Sequence, residues 1–338
     1  MGRKIFVGKI GQKLIFNRKS KECDRSNTNG NVGAYLFFKL LFENNKNDTF
    51  YVIGDNDLNT FKNEYENVID ASKYTMLELM NIKPDVGVFL IGLLNEMNPG
   101  NKVIEFINVS KIRWLLVSDD PRCLDTKAKD IKNLPRKIIS QFSGSIDFCG
   151  KNYFVEYVPI ETASCYGCDF LQDSIKEKDF VVVANTAGDY DRLGIVDNLT
   201  DGIENAEIFG RIDKDEYKSD KRFKGEVKFS EMQEIMRSAK TTLLVPIKPG
   251  WVTSKYIEAL MNGVVPIFYK DYGIGILPFM HFSLVIHNKK QLSYIVNLLC
   301  TNSEYTNHIL ESLRSHYIYP YSDGKKLNKM INDILARM

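Results

Sequence analysis

Along the chain, short continuous apolar runs alternate with longer stretches in which apolar residues recur every three or four positions. Residues 4–7, 50–53, 86–91, 114–117 and 137–139 are the short runs, and they suit parallel strands buried on both faces. Residues 33–43, between the first two runs, carry helical periodicity. Residues 154–158 make one more apolar run, which Pro159 breaks. A Cys, Gly and polar stretch then continues to Leu171, and the linker between domains is expected there. A second series starts after Glu177, with strands expected at 180–184, 207–209, 242–245 and 264–268. Helices are expected between them at 191–199, 230–238 and 254–261, and later at 291–299 and 305–315. A last amphipathic helix covers 325–337, after a break at 319–324. Two βαβ series predict an α/β protein with two Rossmann-like domains, over 1–165 and 172–318, facing each other across a cleft. The last segment, 325–338, is expected to pack back on the first domain. Sheets of this kind bind ligands beyond the carboxyl ends of their strands.

The length of 338 residues suits two such domains. Hydrophobic content of 44% and charged content of 26% are globular values. A formal net charge of +2 creates no global field for nucleic acid, so any DNA contact must come from a local patch. The start of the chain, MGRKIFVGKIGQ, lacks the apolar core of a signal peptide, and no apolar run reaches the ~18 residues of a membrane span. Six cysteines (Cys23, Cys123, Cys149, Cys165, Cys168 and Cys300) without such a signal suggest reduced thiols in a cytoplasm. Cys165 and Cys168 form a lone CxxC. With Cys123 and Cys149 they could make a four-thiolate zinc site, but a second pair at zinc spacing is missing and free thiols are expected. His281, His287, His308 and His316 show no metal-ligand spacing.

The densest chemistry lies between residues 223 and 271. Lys255 and Glu258 stand three apart on an expected helix, hence on one face. The helix follows the tight Pro249-Gly250-Trp251 loop and sits between two apolar runs, so its first turn should reach the ligand end of a sheet. A carboxylate there accepts hydrogen bonds from two vicinal hydroxyls, and an ammonium offsets phosphate charge. The plain alternative is a surface ion pair. Upstream, the run 183–192 leads from a strand through Thr186 and Gly188 into a helix that carries Arg192. A helix N-terminus with a hydroxyl and a guanidinium suits a phosphate; a loop with a surface Arg is the alternative. Gly210 follows a strand and could line the same pocket. The turn 225–229, with Val227 and Phe229, suits main-chain reading of a nucleobase.

In the first half, Gly30 and Gly33 precede or open a helix, where backbone can approach a ligand. The run 115–122 is a buried strand ending in Asp119 and Asp120, followed by Pro121 and Arg122. Transfer of a sugar to a hydroxyl needs a base, and Asp119 is placed for that; an Asp-Asp-Pro turn cap is the alternative. Basic clusters at 18–25 and 127–137 flank this end and could meet a phosphate backbone.

On these residues the chain resembles the phage DNA β-glucosyltransferases of the T-even type. Residues 111–119 (KIRWLLVSD) resemble the family strand that ends in its catalytic Asp, here Asp119. Residues 137–141 (KIISQ) and 156–162 (EYVPIET) resemble its domain-junction segment. Thr186 and Arg192 fall on diphosphate-binding positions, Lys255 on a family Arg, Glu258 on the ribose-binding Glu and 225–229 on the uracil-reading turn. Gly188 stands where the family has another diphosphate Arg, and Glu226 where it has a Lys. No counterpart of the family's sugar-contacting Glu is found near Val32.

The resemblance implies a GT-B fold and an inverting transfer from a UDP-sugar to the hydroxymethyl group of a modified pyrimidine, 5-hydroxymethylcytosine or 5-hydroxymethyluracil, in phage DNA. Glucose is the first expectation for the sugar, with another hexose or a pentose also compatible. Asp120, Arg122, Gly30 and Gly33 are the expected acceptor-side residues. The expected partners are duplex DNA and the UDP-sugar, with no membrane, in a monomer inside an infected bacterial host. No cofactor is expected for the transfer itself, although Mg2+ could speed UDP release. The runner-up is a GT-B enzyme acting on a surface polysaccharide or glycolipid. A binding module without activity is the third reading.

Overall fold

The computed structural model describes residues 2–10, 32–53, 65–91, 102–118, 124, 130–166, 175–184, 191–212, 215–217, 219–227, 229–273, 276–277 and 282–338. They form two compact units. One holds the described residues through Tyr166 together with Gly324–Met338, and the other holds those from 175 to Asp323.

The first unit is built on the strands β1 (Lys4–Ile10), β2 (Thr49–Ile53), β3 (Val68–Asp70), β4 (Val86–Ile91), β5 (Trp114–Ser118), β6 (Lys137–Ser140), β7 (Gly144–Phe148) and β8 (Lys151–Tyr157). Their order is β3-β2-β1-β4-β5-β6-β8-β7, and every pairing is parallel except the β7–β8 hairpin. The helices α1 (Val32–Asn44), α2 (Met76–Asn81) and α3 (Lys102–Ser110) connect strands of this sheet. All six residues of β4 are buried, which is why it reads as an unbroken apolar run. One face of the sheet packs Phe6, Phe89, Trp114 and Ile138 against Val103, Phe106 and Ile107 of α3. Burying one such side chain stabilises by about 1.5–3 kcal/mol. Trp114 meets its polar requirement by donating Nε1–H to the Asn133 carbonyl at 2.9 Å.

The second unit has an all-parallel sheet of β9 (Lys178–Val183), β10 (Glu207–Phe209), β11 (Phe223–Gly225), β12 (Ala239–Leu244), β13 (Val265–Tyr269) and β14 (Val285–Ile286), in the order β11-β10-β9-β12-β13-β14. Its helices are α4 (Arg192–Thr200), α5 (Phe229–Ser238), α6 (Lys255–Met261), α7 (Lys289–Thr301) and α8 (Ser303–Tyr317). A 3-10 turn, Tyr319–Tyr321, closes this unit.

The final helix, α9 (Lys325–Arg337), belongs to the first unit. Asn45 Nδ2 donates to Asn328 Oδ1 at 2.6 Å, and Asn332 Nδ2 donates to Asn45 Oδ1 at 2.8 Å. Arg3 joins the cluster by donating to Asn332 Oδ1 at 2.6 Å and to Asp48. Gly324, just before α9, has φ 72°, and a Cβ there would lie 2.8 Å from Leu40, so both conformation and space require glycine.

The expected strands and helices are present with ends moved by a few residues. Two segments carry more structure than their sequence pattern shows. The apolar run at 154–158 is the second half of a longer strand, β8, in a hairpin whose turn holds Cys149 at φ 54° and Gly150 at φ 77°. The polar stretch after Pro159 begins with a 3-10 segment, Ile160–Cys165, buried in the first unit at Ile160, Glu161, Thr162, Ala163 and Cys165. Two of its side chains bond locally, which helps a polar sequence sit inside: Thr162 Oγ1 donates to the Pro159 carbonyl at 2.5 Å and Cys165 Sγ to the Thr162 carbonyl at 2.9 Å.

Candidate functional site

In both sheets the strand order reverses next to the first strand of the unit, between β1 and β4 and between β9 and β12. Connections leave the sheet on opposite sides at such a switch point, opening a crevice at the carboxyl ends of the strands. In the second unit, α4 and α6 follow the two switch-point strands and so begin at this end.

α6 carries the most developed group of polar side chains. Lys255 Nζ lies 2.6 Å from Glu258 Oε2, and Ser254 Oγ donates to Glu258 Oε1 at 2.9 Å. Glu258 is 8% exposed. Ser254 is the N-cap residue, yet its hydroxyl makes no cap bond and is given to Glu258 instead. Lys255 Nζ also lies 3.3 Å from Met232 Sδ of α5. A carboxylate held at both oxygens, beside an ammonium and a thioether, is a preorganised acceptor for hydroxyl groups.

The loop leading into α6 is pinned. Gly250 N–H, at φ 79°, donates to the Asp271 carbonyl at 2.7 Å. The buried Tyr272 hydroxyl accepts from Thr253 N–H at 3.1 Å and donates to its carbonyl at 2.9 Å. Lys248 Nζ sits 5.0 Å from the centre of the Trp251 ring.

Neighbouring strands end in glycine turns. Gly210 N–H, at φ 138°, donates to the Gly225 carbonyl at 2.8 Å, and Gly225 itself has φ 81°. Val227 then packs against a cluster containing Val183, Phe209, Met232 and Ala259. Phe229 is the first residue of α5. Arg192 is the first residue of α4 and 6% exposed; Asp191 caps that helix by accepting from Gly194 N–H at 3.2 Å. A Cβ at Gly194 would meet the Asp191 carboxylate at 2.3 Å, so a larger residue there would push the capping side chain aside.

The structure thus gathers Gly210, Val227, Lys255 and Glu258 at one end of one sheet, with Arg192 opening a helix at the same end. Gly33 is the second residue of α1. Asp119, Asp120, Arg122, Gly30, Thr186 and Gly188 lie outside the described residues. The strand leading to Asp119 is described through Ser118, which is buried and whose carbonyl accepts from Ser140 Oγ at 3.0 Å. Sequence reasoning missed Ser254, although its i,i+4 spacing to Glu258 was visible. It also missed Met232, which reads as a core position, and Lys9, only 5% exposed near the carboxyl end of β1 at the first unit's switch point. Among the described residues no three His, Cys, Asp or Glu side chains group to hold a metal ion, and no helix is long and apolar enough to cross a membrane.

No protein-family model and no curated protein matches the chain. Solved structures do. A DNA-modifying β-glucosyltransferase, studied with and without uridine diphosphoglucose, superposes with a TM-score of 0.68 at 15% identity, covering 98% of this chain and 99% of the other. The fold is GT-B. The β-glucosyltransferase of phage T4 in complex with UDP and Mn2+ gives a TM-score of 0.64 at 14% identity over 98% of this chain and 99% of its own. An Anabaena protein, HepE, in complex with UDP and glucose gives 0.56 at 9% identity, with full coverage of both chains. Nearly whole-chain coverage means that both units, and not one Rossmann-like half, share the GT-B pattern.

Proposed function

We propose that this chain is an inverting glycosyltransferase that moves a sugar, glucose first, from its UDP carrier to the hydroxymethyl group of a modified pyrimidine in duplex DNA. One observation carries the reading: the buried Lys255–Glu258 pair at the switch-point end of the all-parallel sheet. In this reading Glu258 accepts from the ribose hydroxyls, and main-chain groups at Val227 read the uracil. Thr186, Arg192 and Lys255 take the diphosphate, and their donors stabilise the charge that grows on the leaving group. The likeness to enzymes solved with UDP and UDP-glucose supports the same donor class.

Asp119, in the first unit, is the proposed base. It removes the hydroxymethyl proton as the oxygen attacks C1 on the face opposite UDP; the C1–O bond to UDP breaks in the same displacement, which inverts the anomeric centre. A base inside a duplex cannot align with that carbon, so the nucleotide is flipped out at an expense of about a few kcal/mol of unstacking.

The test is incubation with a panel of UDP-sugars and duplexes carrying hydroxymethylcytosine, hydroxymethyluracil or unmodified bases, followed by digestion and nucleoside mass spectrometry. A mass gain equal to one sugar on a hydroxymethylated nucleoside supports the proposal. UDP release onto a glycan or lipid with no gain on any DNA would replace it with the polysaccharide or glycolipid reading.

A further inference from the structure

The carboxyl end of α6 is held more firmly than a seven-residue helix can hold itself. Val264 N–H donates to the Ala259 carbonyl at 2.9 Å and Gly263 N–H to the Leu260 carbonyl at 3.2 Å, with Gly263 at φ 69°, a Schellman ending. Arg314 Nε also donates to the Leu260 carbonyl, at 3.0 Å. Lys176 Nζ donates to the carbonyls of Asn262 and Arg237, each at 2.9 Å, and so joins the ends of α6 and α5. At the centre is Asn262, 4% exposed. Its Nδ2 donates to the Glu258 carbonyl at 2.8 Å and to Gln233 Oε1 at 2.7 Å, and its Oδ1 accepts from Arg237 Nε at 3.2 Å.

Both ends of this clamp lead to the candidate site. The carbonyl that Asn262 holds is that of Glu258. Gln233 directly follows Met232, whose sulfur touches Lys255. Three hydrogen bonds from one buried amide between two helices fix register, since each alternative sliding would leave a buried donor or acceptor unpaired. We propose that Asn262, with Gln233 and Lys176, is a positioning device that sets Glu258 and Lys255 for the nucleotide. This rests on the donor-site reading above.

The test is UDP titration by calorimetry on the full chain: wild type, Asn262→Leu, Gln233→Leu, Lys176→Met and Lys176→Arg. Each is measured well below its own melting temperature, so that a folded population is compared with a folded population. Asn262→Leu and Gln233→Leu should bind UDP about tenfold more weakly, with the loss in kcat/KM carried by KM. Lys176→Met should be weakened in the same direction, and Lys176→Arg should recover most of the affinity. Folded Asn262→Leu and Gln233→Leu proteins that bind UDP as wild type does would overturn the proposal and leave the clamp a packing feature. Wild type that fails to bind UDP is a different result: it removes the donor-site reading, and this inference with it.

Discussion

Glu258 Oε2 lies 2.6 Å from Lys255 Nζ, one helical turn apart on α6, while Glu258 Oε1 is held by the hydroxyl of Ser254. Both charged side chains are largely buried. A buried pair of this kind is weak ground for stability, because desolvation offsets most of the attraction. In the proposed donor site the pair serves as binding machinery instead. Glu258→Gln should therefore weaken UDP binding by about 10- to 100-fold, through loss of charge-assisted bonds to ribose. It should also lower folding stability by about 1–3 kcal/mol, because Lys255 loses its counter-charge. Calorimetric titration with UDP and urea denaturation measure the two effects separately. A stability loss with unchanged UDP affinity would make the pair structural.

Asp119→Asn preserves shape and removes the proposed base. Binding of UDP-sugar and of hydroxymethylated DNA should be retained, while kcat falls by about 10²–10⁴-fold. Rapid-quench turnover beside filter binding checks both halves. Wild-type turnover in a variant that binds both substrates would dismiss Asp119 as the base.

Gly225 separates stereochemistry from crowding. A Cβ there meets nothing within 4 Å, yet φ is 81°. Gly225→Ala should therefore lose about 1–2 kcal/mol from backbone strain alone. If Val227 main-chain groups read the base, the strain should also reduce preference for UDP over other nucleoside diphosphates. Urea melts and competition binding report these outcomes. An unchanged preference would take uracil reading away from this turn.

Lys176 gives a pH signature. Burial, then the nearby Arg314 charge, lowers its pKa from 10.5 to about 8. The folded protein therefore gives up this proton near pH 8, whereas the unfolded chain keeps it to about pH 10.5. The unfolded state binds more protons in that window, so this group makes stability rise with pH. Cys300 acts oppositely: burial, then Asp179, raises its thiol from 9.0 to about 11, so stability falls as pH climbs through that range. The cleanest window is pH 8 to 9. There wild type should gain melting temperature relative to Lys176→Met, and a difference independent of pH would contradict the assignment.

What could be read from sequence follows the reach of each signal. β4 and β12 were legible because strands buried on both faces leave continuous apolar runs. The edge strands β3 and β14, of three and two residues, carry too few positions for a pattern. β11 was missed because it is equally short and ends at Gly225, where the 225–229 turn was read. Within the site, Lys255 and Glu258 were legible because their relation is local, one helical turn. Met232 and Asn262 were not, because what matters in each is a contact across two helices, and α5 and α6 meet only in the folded unit.

The most direct measurement is a crystal structure of the chain with UDP bound. The ribose hydroxyls should lie on the Glu258 carboxylate, the diphosphate beside Arg192 and Lys255, and the uracil against the main chain at Val227. UDP bound elsewhere, with the Lys255–Glu258 pair untouched, would contradict the donor site and everything built on it.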